Sequence, residues 1–300
     1  MHLCSNPVAL RLLVASSARR PAVQVATTSS LLRDSLFASS SHSRCRTMSS
    51  NEAPPEHMVN FGCGHPQASL LPVEQVAAAA SRALLQGGRG SEFLQYGSEI
   101  GQPFAREQLA AFLSSEYSFE VSPDTLALTT GVTHGIQLVA QALKRQTTAE
   151  PPLCWVEEPT YFLVPNVFQQ AGYELETVPT TSEQGLDVAS LEPIFQNARE
   201  TSSTRTLVLY CIPTHHNPLG TSLSEDNRMK LVALCNKYQV YLIADEVYHG
   251  LSFGNNDTNA PFFIRSMAMR SPYVVSISAM TKILCPGIRC GWIHATPQMI

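Results

Sequence analysis

The chain has 300 residues, 44% of them apolar, enough to bury one large core or two modest ones, which excludes disorder as a description of the whole. Its formal net charge is only −4 and no lysine or arginine block interrupts its body, so the basic footprint of a nucleic-acid binder is missing and a ligand is to be sought in a pocket. No apolar run approaches the roughly 18 to 20 residues that span a bilayer, so neither a transmembrane helix nor a membrane partner is expected.

The first 48 residues carry six arginines, no lysine, many serines and one acid, Asp34. That bias describes an organelle transit peptide, mitochondrial or other, with a tail that bears no address as the alternative. Met48 could serve as an internal start and would give a cytoplasmic form. The eight cysteines, at 4, 45, 63, 154, 211, 235, 285 and 290, form no CxxC pair and no metal-ligand spacing with the histidines. Reduced thiols in an intracellular compartment fit best, and no metal site is expected.

From about Val59 short apolar runs alternate with amphipathic stretches, the pattern of strands interleaved with helices in a parallel sheet. The predicted elements begin with a helix over Phe104–Glu116, a strand over Leu126–Thr129, a helix over Val132–Lys144 and a strand over Leu153–Glu157. A helix over Tyr161–Ala171 and strands over Leu175–Val178 and Thr206–Cys211 follow. The series closes with a helix over Ser224–Tyr238, Ser224 as its N-cap, and strands over Val240–Ala244 and Tyr273–Ser278. In open α/β sheets the ligand crevice lies at the carboxyl ends of the strands. Reading those ends in order gives GVTHG after Thr130, EEPTY after Val156, PTHHNPLG after Ile212, DEVYHG after Ala244, and SAMTKILCPGIRCGW after Ile277.

Together these five ordered motifs resemble the fold type I pyridoxal-phosphate (PLP) enzymes, the class I and II aminotransferases, from about Gly64 to Trp292. The resemblance implies an α/β fold of three layers, a mostly parallel sheet flanked by helices. It implies an N-terminal arm and small-domain segment over 49–95 and a PLP-binding large domain over 96–300, with the small C-terminal domain largely missing because the sequence stops at Ile300. The turns YCIPTHHNPLG and AMTKILCPGIR look most like the branch holding 2-aminoadipate, kynurenine and aromatic aminotransferases.

Carried over residue by residue, Lys282 resembles the family lysine that carries the cofactor in Schiff-base linkage, since it stands four residues before Pro286-Gly287 and seven before Arg289. The plain alternative is a solvated surface lysine, disfavoured by the apolar strand before it and the ILCPG turn after it. Arg289 resembles the phosphate-binding arginine, a role suited to a bidentate guanidinium. Asp245, at the end of VYLIAD, would be costly to bury unpaired, so a cationic partner is expected. In the family it pairs with the protonated pyridine nitrogen, and a helix N-cap is its alternative. Asn217 and Tyr248 resemble the two residues that hydrogen-bond the ring oxygen, although the NPLG turn around Asn217 could be purely structural. Gly131, Val132 and Thr133 open a helix whose free N–H groups suit an anion, and the family binds the cofactor phosphate there. Tyr161 resembles the ring-stacking aromatic, with an ordinary core tyrosine as the alternative. Tyr96 resembles the tyrosine that reaches the phosphate from a neighbouring subunit, which implies a homodimer with shared active sites. Gly64 resembles a substrate-contacting glycine.

Two departures from the family pattern stand out. The position three residues before the lysine, often a phosphate-binding serine, is Ala279, with Thr281 beside the lysine. The arginine that binds the substrate carboxylate belongs to the C-terminal domain and is expected to be absent. The expected activity is transfer of an amino group between an L-amino acid and a 2-oxo acid with PLP as cofactor. The alternatives are another PLP reaction, such as β-elimination or decarboxylation, and a PLP-binding fragment without turnover. A PLP-dependent transcription regulator is disfavoured because segment 1–57 is too short and too poor in helical periodicity for a winged-helix region.

Overall fold

The computed structural model describes residues 64–85, 88–117, 119–145, 150–251, 264–267 and 270–300, and contacts gather His65–Ile300 into one compact unit. The segment read as a transit peptide, Met48, and most of the arm up to residue 63 lie outside the described residues.

After helix α1 (Val73–Leu85) and helix α2 (Pro103–Tyr117), the chain enters an eight-stranded sheet. In chain order the elements are β1 (Leu126–Thr129), α3 (Val132–Lys144), β2 (Leu153–Glu158), α4 (Val164–Gln170), β3 (Glu174–Thr181), β4 (Gly185–Leu186) and α5 (Leu191–Thr201). They continue with β5 (Leu207–Cys211), α6 (Glu225–Tyr238), β6 (Tyr241–Asp245), β7 (Val274–Ala279), the single turn α7 (Met280–Ile283) and β8 (Gly291–His294). Spatial order is β1-β8-β7-β6-β5-β2-β3-β4. The run β7-β6-β5-β2-β3 is parallel, whereas β8 pairs antiparallel with both β1 and β7, and β4 pairs antiparallel with β3.

The central strands bury both faces, which is why they read as continuous apolar runs. Alternate side chains go to opposite cores, as a period of two requires. Leu153, Trp155, Leu207, Leu209, Leu242 and Val274 pack on one side with Leu191 and Phe195 of α5 and Leu231 and Cys235 of α6. Cys154, Val156, Val208, Tyr210, Ile243 and Val275 pack on the other with Ile136, Val139 and Leu143 of α3 and Phe168 of α4. Three layers result, helix, sheet and helix, as the resemblance implied.

Most predicted elements are present within a residue or two. The helix expected from Tyr161 starts at Val164, leaving Tyr161 in the loop, and Ser224 caps α6 by accepting the Asn227 N–H at 3.3 Å. The strands β4 and β8 and the helices α1 and α5 were not among the predicted elements. Phe168 is completely buried, with the rings of Tyr173 and Tyr210 at 5.3 and 6.4 Å. Phe168→Ala leaves a cavity there and is expected to destabilise the chain by about 3–5 kcal/mol, read from urea denaturation midpoints.

Candidate active site

The carboxyl ends of β2, β5, β6 and β7 open into a cavity of about 340 Å³ whose floor is set by the sheet and whose rim is set by the turns that follow. Val132 and Thr133 from the first turn of α3, Tyr161 after β2, Asn217 after β5, Asp245 and Tyr248 after β6, and Lys282 and Arg289 after β7 all line it. Eight of the residues singled out in the sequence therefore converge, from segments up to 157 positions apart (289 − 132). Ile212, Leu163 and Val247 supply apolar walls.

The chain has four lysines. Lys237 pairs with Glu192 at 2.6 Å and Lys230 is exposed on α6. Lys144 ends α3 beside Gly172. Only Lys282 lines the cavity; it is exposed to solvent there and forms no ion pair among the described residues, its Nζ lying 5.4 Å from the centroid of the Tyr248 ring. A free amine on a solvated rim can reach a ligand without first breaking a bond.

Asp245 is 4% exposed. Burial pushes its pKa up from 3.8 to about 6, against the Tyr210 hydroxyl, which donates to Oδ2 at 2.8 Å, and the Val247 N–H, which donates to Oδ1 at 3.2 Å. Glu157 raises it further, and the more distant Lys282 lowers it. The expected cationic partner is not in direct contact among the described residues: two neutral donors hold the carboxylate, which leaves it short of positive charge where it meets the cavity. Tyr210 was missed from sequence. Its signal was a phenol inside the otherwise apolar strand LVLYC, since a buried tyrosine hydroxyl needs a partner.

Asn217 Nδ2 donates to the Tyr248 hydroxyl at 3.3 Å, so the two side chains meet at one edge of the cavity. At the other end Gly131 caps α3 with φ 114° and no side chain, and Arg289 Nη2 donates to the Thr130 carbonyl at 2.8 Å. A Cβ on Gly131 would lie 2.5 Å from that nitrogen. Glycine is thus required both for the backbone conformation and for the guanidinium's close approach to the helix start. The result is an arginine beside uncapped helix N–H groups, a site for an anion. Thr281 lines the cavity, whereas Ala279 is fully buried in β7 and does not, so the cavity hydroxyl next to the lysine in the chain is the threonine's.

Tyr96 is fully exposed and does not line the cavity, and Gly64 belongs to the separate unit Met1–Gly64. Among the described residues no group of three or more His, Cys, Asp and Glu could hold a metal ion, and no helix is long and apolar enough to cross a membrane.

Comparison with known proteins agrees with this geometry. The family model described as aminotransferase class I and II matches residues 56–300. The chain is 26% identical to aromatic-amino-acid aminotransferase 1 of Thermococcus litoralis, covering 81% of the chain and 55% of that protein. It is 27% identical to 2-aminoadipate transaminase of Thermus thermophilus, covering 81% and 56%. A solved kynurenine aminotransferase of Pyrococcus horikoshii superposes with a TM-score of 0.68 at 25% identity, covering 79% of this chain and 55% of that one. The chain spans about half the length of these relatives.

Proposed function

The chain belongs to the class I and II aminotransferases, and from that premise we propose that it carries pyridoxal 5'-phosphate on Lys282 and moves an amino group between an amino acid and a 2-oxo acid. The observation that carries this reading is the pairing in one cavity of an unpaired lysine with a buried aspartate short of positive charge. A flat cationic ring bearing an aldehyde on one side and a phosphate on another satisfies both, and the Gly131–Arg289 end accepts its dianion.

When bound, the cofactor supplies an electron-withdrawing ring that takes up the negative charge developing at the substrate α-carbon. The residues of the chain do the rest. Lys282 would anchor the cofactor through Nζ and would serve as general base and acid for the substrate α-proton. Asp245 would keep the ring nitrogen protonated, with Tyr210 holding the carboxylate in place. Asn217 and Tyr248 would hold the ring oxygen, Tyr161 the ring face, and Arg289 with the first-turn N–H groups of Val132 and Thr133 the phosphate, joined by the Thr281 hydroxyl in place of the serine that Ala279 replaces; all but Ala279 line the cavity.

Substitution at the phosphate end gives a direct check. Gly131→Ala strains a backbone at φ 114° and drives Arg289 from the helix start. Affinity for the cofactor is expected to fall by roughly tenfold or more, measured by equilibrium titration of the apo chain.

The names of the relatives and the likeness of the two turns support a substrate among 2-aminoadipate, kynurenine and the aromatic amino acids. The reaction type is tested by adding a panel of amino acids to the reconstituted chain. Conversion of the bound cofactor to its pyridoxamine form, with release of a 2-oxo acid, is expected. Release of ammonia or carbon dioxide instead would replace transfer by elimination or decarboxylation. The exposure of Tyr96, away from its own cavity, supports a homodimer in which it serves the partner's site, and sedimentation is expected to give twice the chain mass. The arginine-rich, serine-rich composition of residues 1–48 supports import into an organelle, tested by fusing them to a fluorescent reporter.

A further inference from the structure

We infer that the buried pair Glu157–His216 is a positioning device that sets the placement of Asn217 and, through it, the acidity of the cofactor's ring oxygen; this rests on the reading that the cavity holds that cofactor. Glu157 lies near the end of β2 and His216 directly precedes Asn217. Both side chains are 1% exposed, and Nε2 of the histidine is 3.1 Å from Oε2 of the acid. The ring N–H is not aligned on that oxygen, so the contact is one of charge and dipole more than a linear hydrogen bond. The same carboxylate oxygen accepts the Ile212 N–H at 2.8 Å, and Nδ1 of His216 accepts the Leu219 N–H at 3.2 Å. With Nδ1 an acceptor, the ring proton sits on Nε2, the nitrogen nearest the acid, though off the line to its oxygen.

The turn is closed around Asn217 by its own backbone, the His216 N–H donating to Thr221 and the Gly220 N–H donating to His216. Its two ends hang from Arg228, whose Nε donates to the Leu223 carbonyl at 2.9 Å and whose Nη2 donates to Pro213 at 2.7 Å. Glu157 therefore ties the turn that carries Asn217 to the strand that leads, four residues on, to Tyr161. Two walls of the cavity share one buried carboxylate. Burial raises the pKa of Glu157 while His216 and the Ile212 N–H oppose the rise. The other titratable groups facing it are Tyr210, Cys211 and Asp245. A buried polar pair of this kind adds little net stability against a well-packed apolar pair, so its effect is sought in geometry.

The test titrates the absorbance of the lysine-linked cofactor against pH in the full chain, for wild type, Glu157→Gln and His216→Asn, with thermal melts of each cofactor-free chain. An amide donating to the ring oxygen favours its ionised form, so a loosened Asn217 lets the oxygen keep its proton to higher pH. Both variants are expected to raise the midpoint by roughly half a pH unit or more, while the remote core variant Leu113→Ala lowers the melting temperature and leaves the midpoint in place. A through-space charge effect would lower the midpoint in Glu157→Gln, because loss of a neighbouring negative charge favours the anion. A fall in that variant, or unchanged midpoints in folded variants, overturns the inference, and so does failure of both variants to fold. Absence of the band in wild type is a different failure: it removes the cofactor reading itself, before any variant is compared.

Discussion

Lys282→Ala is expected to abolish covalent attachment of the cofactor and to lower whatever amino transfer the wild-type chain supports by at least about 10³-fold. The size follows from two tasks lost together. Methyl cannot anchor an aldehyde, and no second amine lines the cavity to take its place, since Lys144, Lys230 and Lys237 all lie elsewhere. Nor can an alanine move the α-proton, and Tyr248, the ring beside Lys282, is bonded to Asn217. Added amines such as methylamine are expected to restore part of the proton transfer, because the substitution leaves a space open to solvent. Single-turnover absorbance changes with and without the amine measure both effects. A variant that still transfers at the wild-type rate would remove Lys282 from the mechanism.

Asp245→Asn is expected to act in two opposite directions, on rate and on stability. With the carboxylate gone, nothing in the cavity holds the ring nitrogen protonated, and transfer is expected to slow by about 10²–10³-fold, the scale of losing one preorganised electrostatic contact. The cofactor-free chain should instead be relieved. The pKa of Asp245 rises from 3.8 unfolded to about 6 folded, so its protonated form is the one that burial favours. The associated stability is fully present below pH 3.8 and is lost as pH rises through 6. Two units correspond to about 3 kcal/mol, so between about pH 3 and about pH 7 the wild type should lose about that much relative to the asparagine variant in urea melts. Glu157 and Glu246 shift in the same direction and are present in both chains, so the difference reports Asp245 together with its charge coupling to those two carboxylates. Equal pH profiles for the two chains would mean that Asp245 is not strained by its burial.

The central strands were legible because both of their faces are buried and runs such as LVLYC and VYLIAD need no polar alternation. The site was legible for the same reason: each motif begins where an apolar run ends, and the sheet brings those ends together. The strand β8, GWIH, was not. It is four residues long and follows the arginine turn directly, so its apolar residues read as part of that turn until antiparallel pairing with β1 and β7 distinguishes them. The helix α5, LEPIFQNARET, has only a few apolar residues, and its buried Leu191 and Phe195 show their role only against β2 and β5. Tyr210 and the Glu157–His216 pair escaped because the sequence places their partners 35 and 59 positions away (245 − 210 and 216 − 157), on neighbouring strands or the turn after one, and that adjacency is a matter of topology. Asp245 shows the converse: its burial was foreseeable, but the neutral donors that satisfy it were not.

The central claim, that this cavity holds its cofactor on Lys282, is tested most directly by reconstituting the full chain with pyridoxal 5'-phosphate, reducing it with borohydride and locating the pyridoxyl group by peptide mass spectrometry. An absorbance band near the visible edge that reduction abolishes is expected, with label on Lys282 alone among the four lysines. No such band, or label spread equally over Lys144, Lys230 and Lys237, would contradict it.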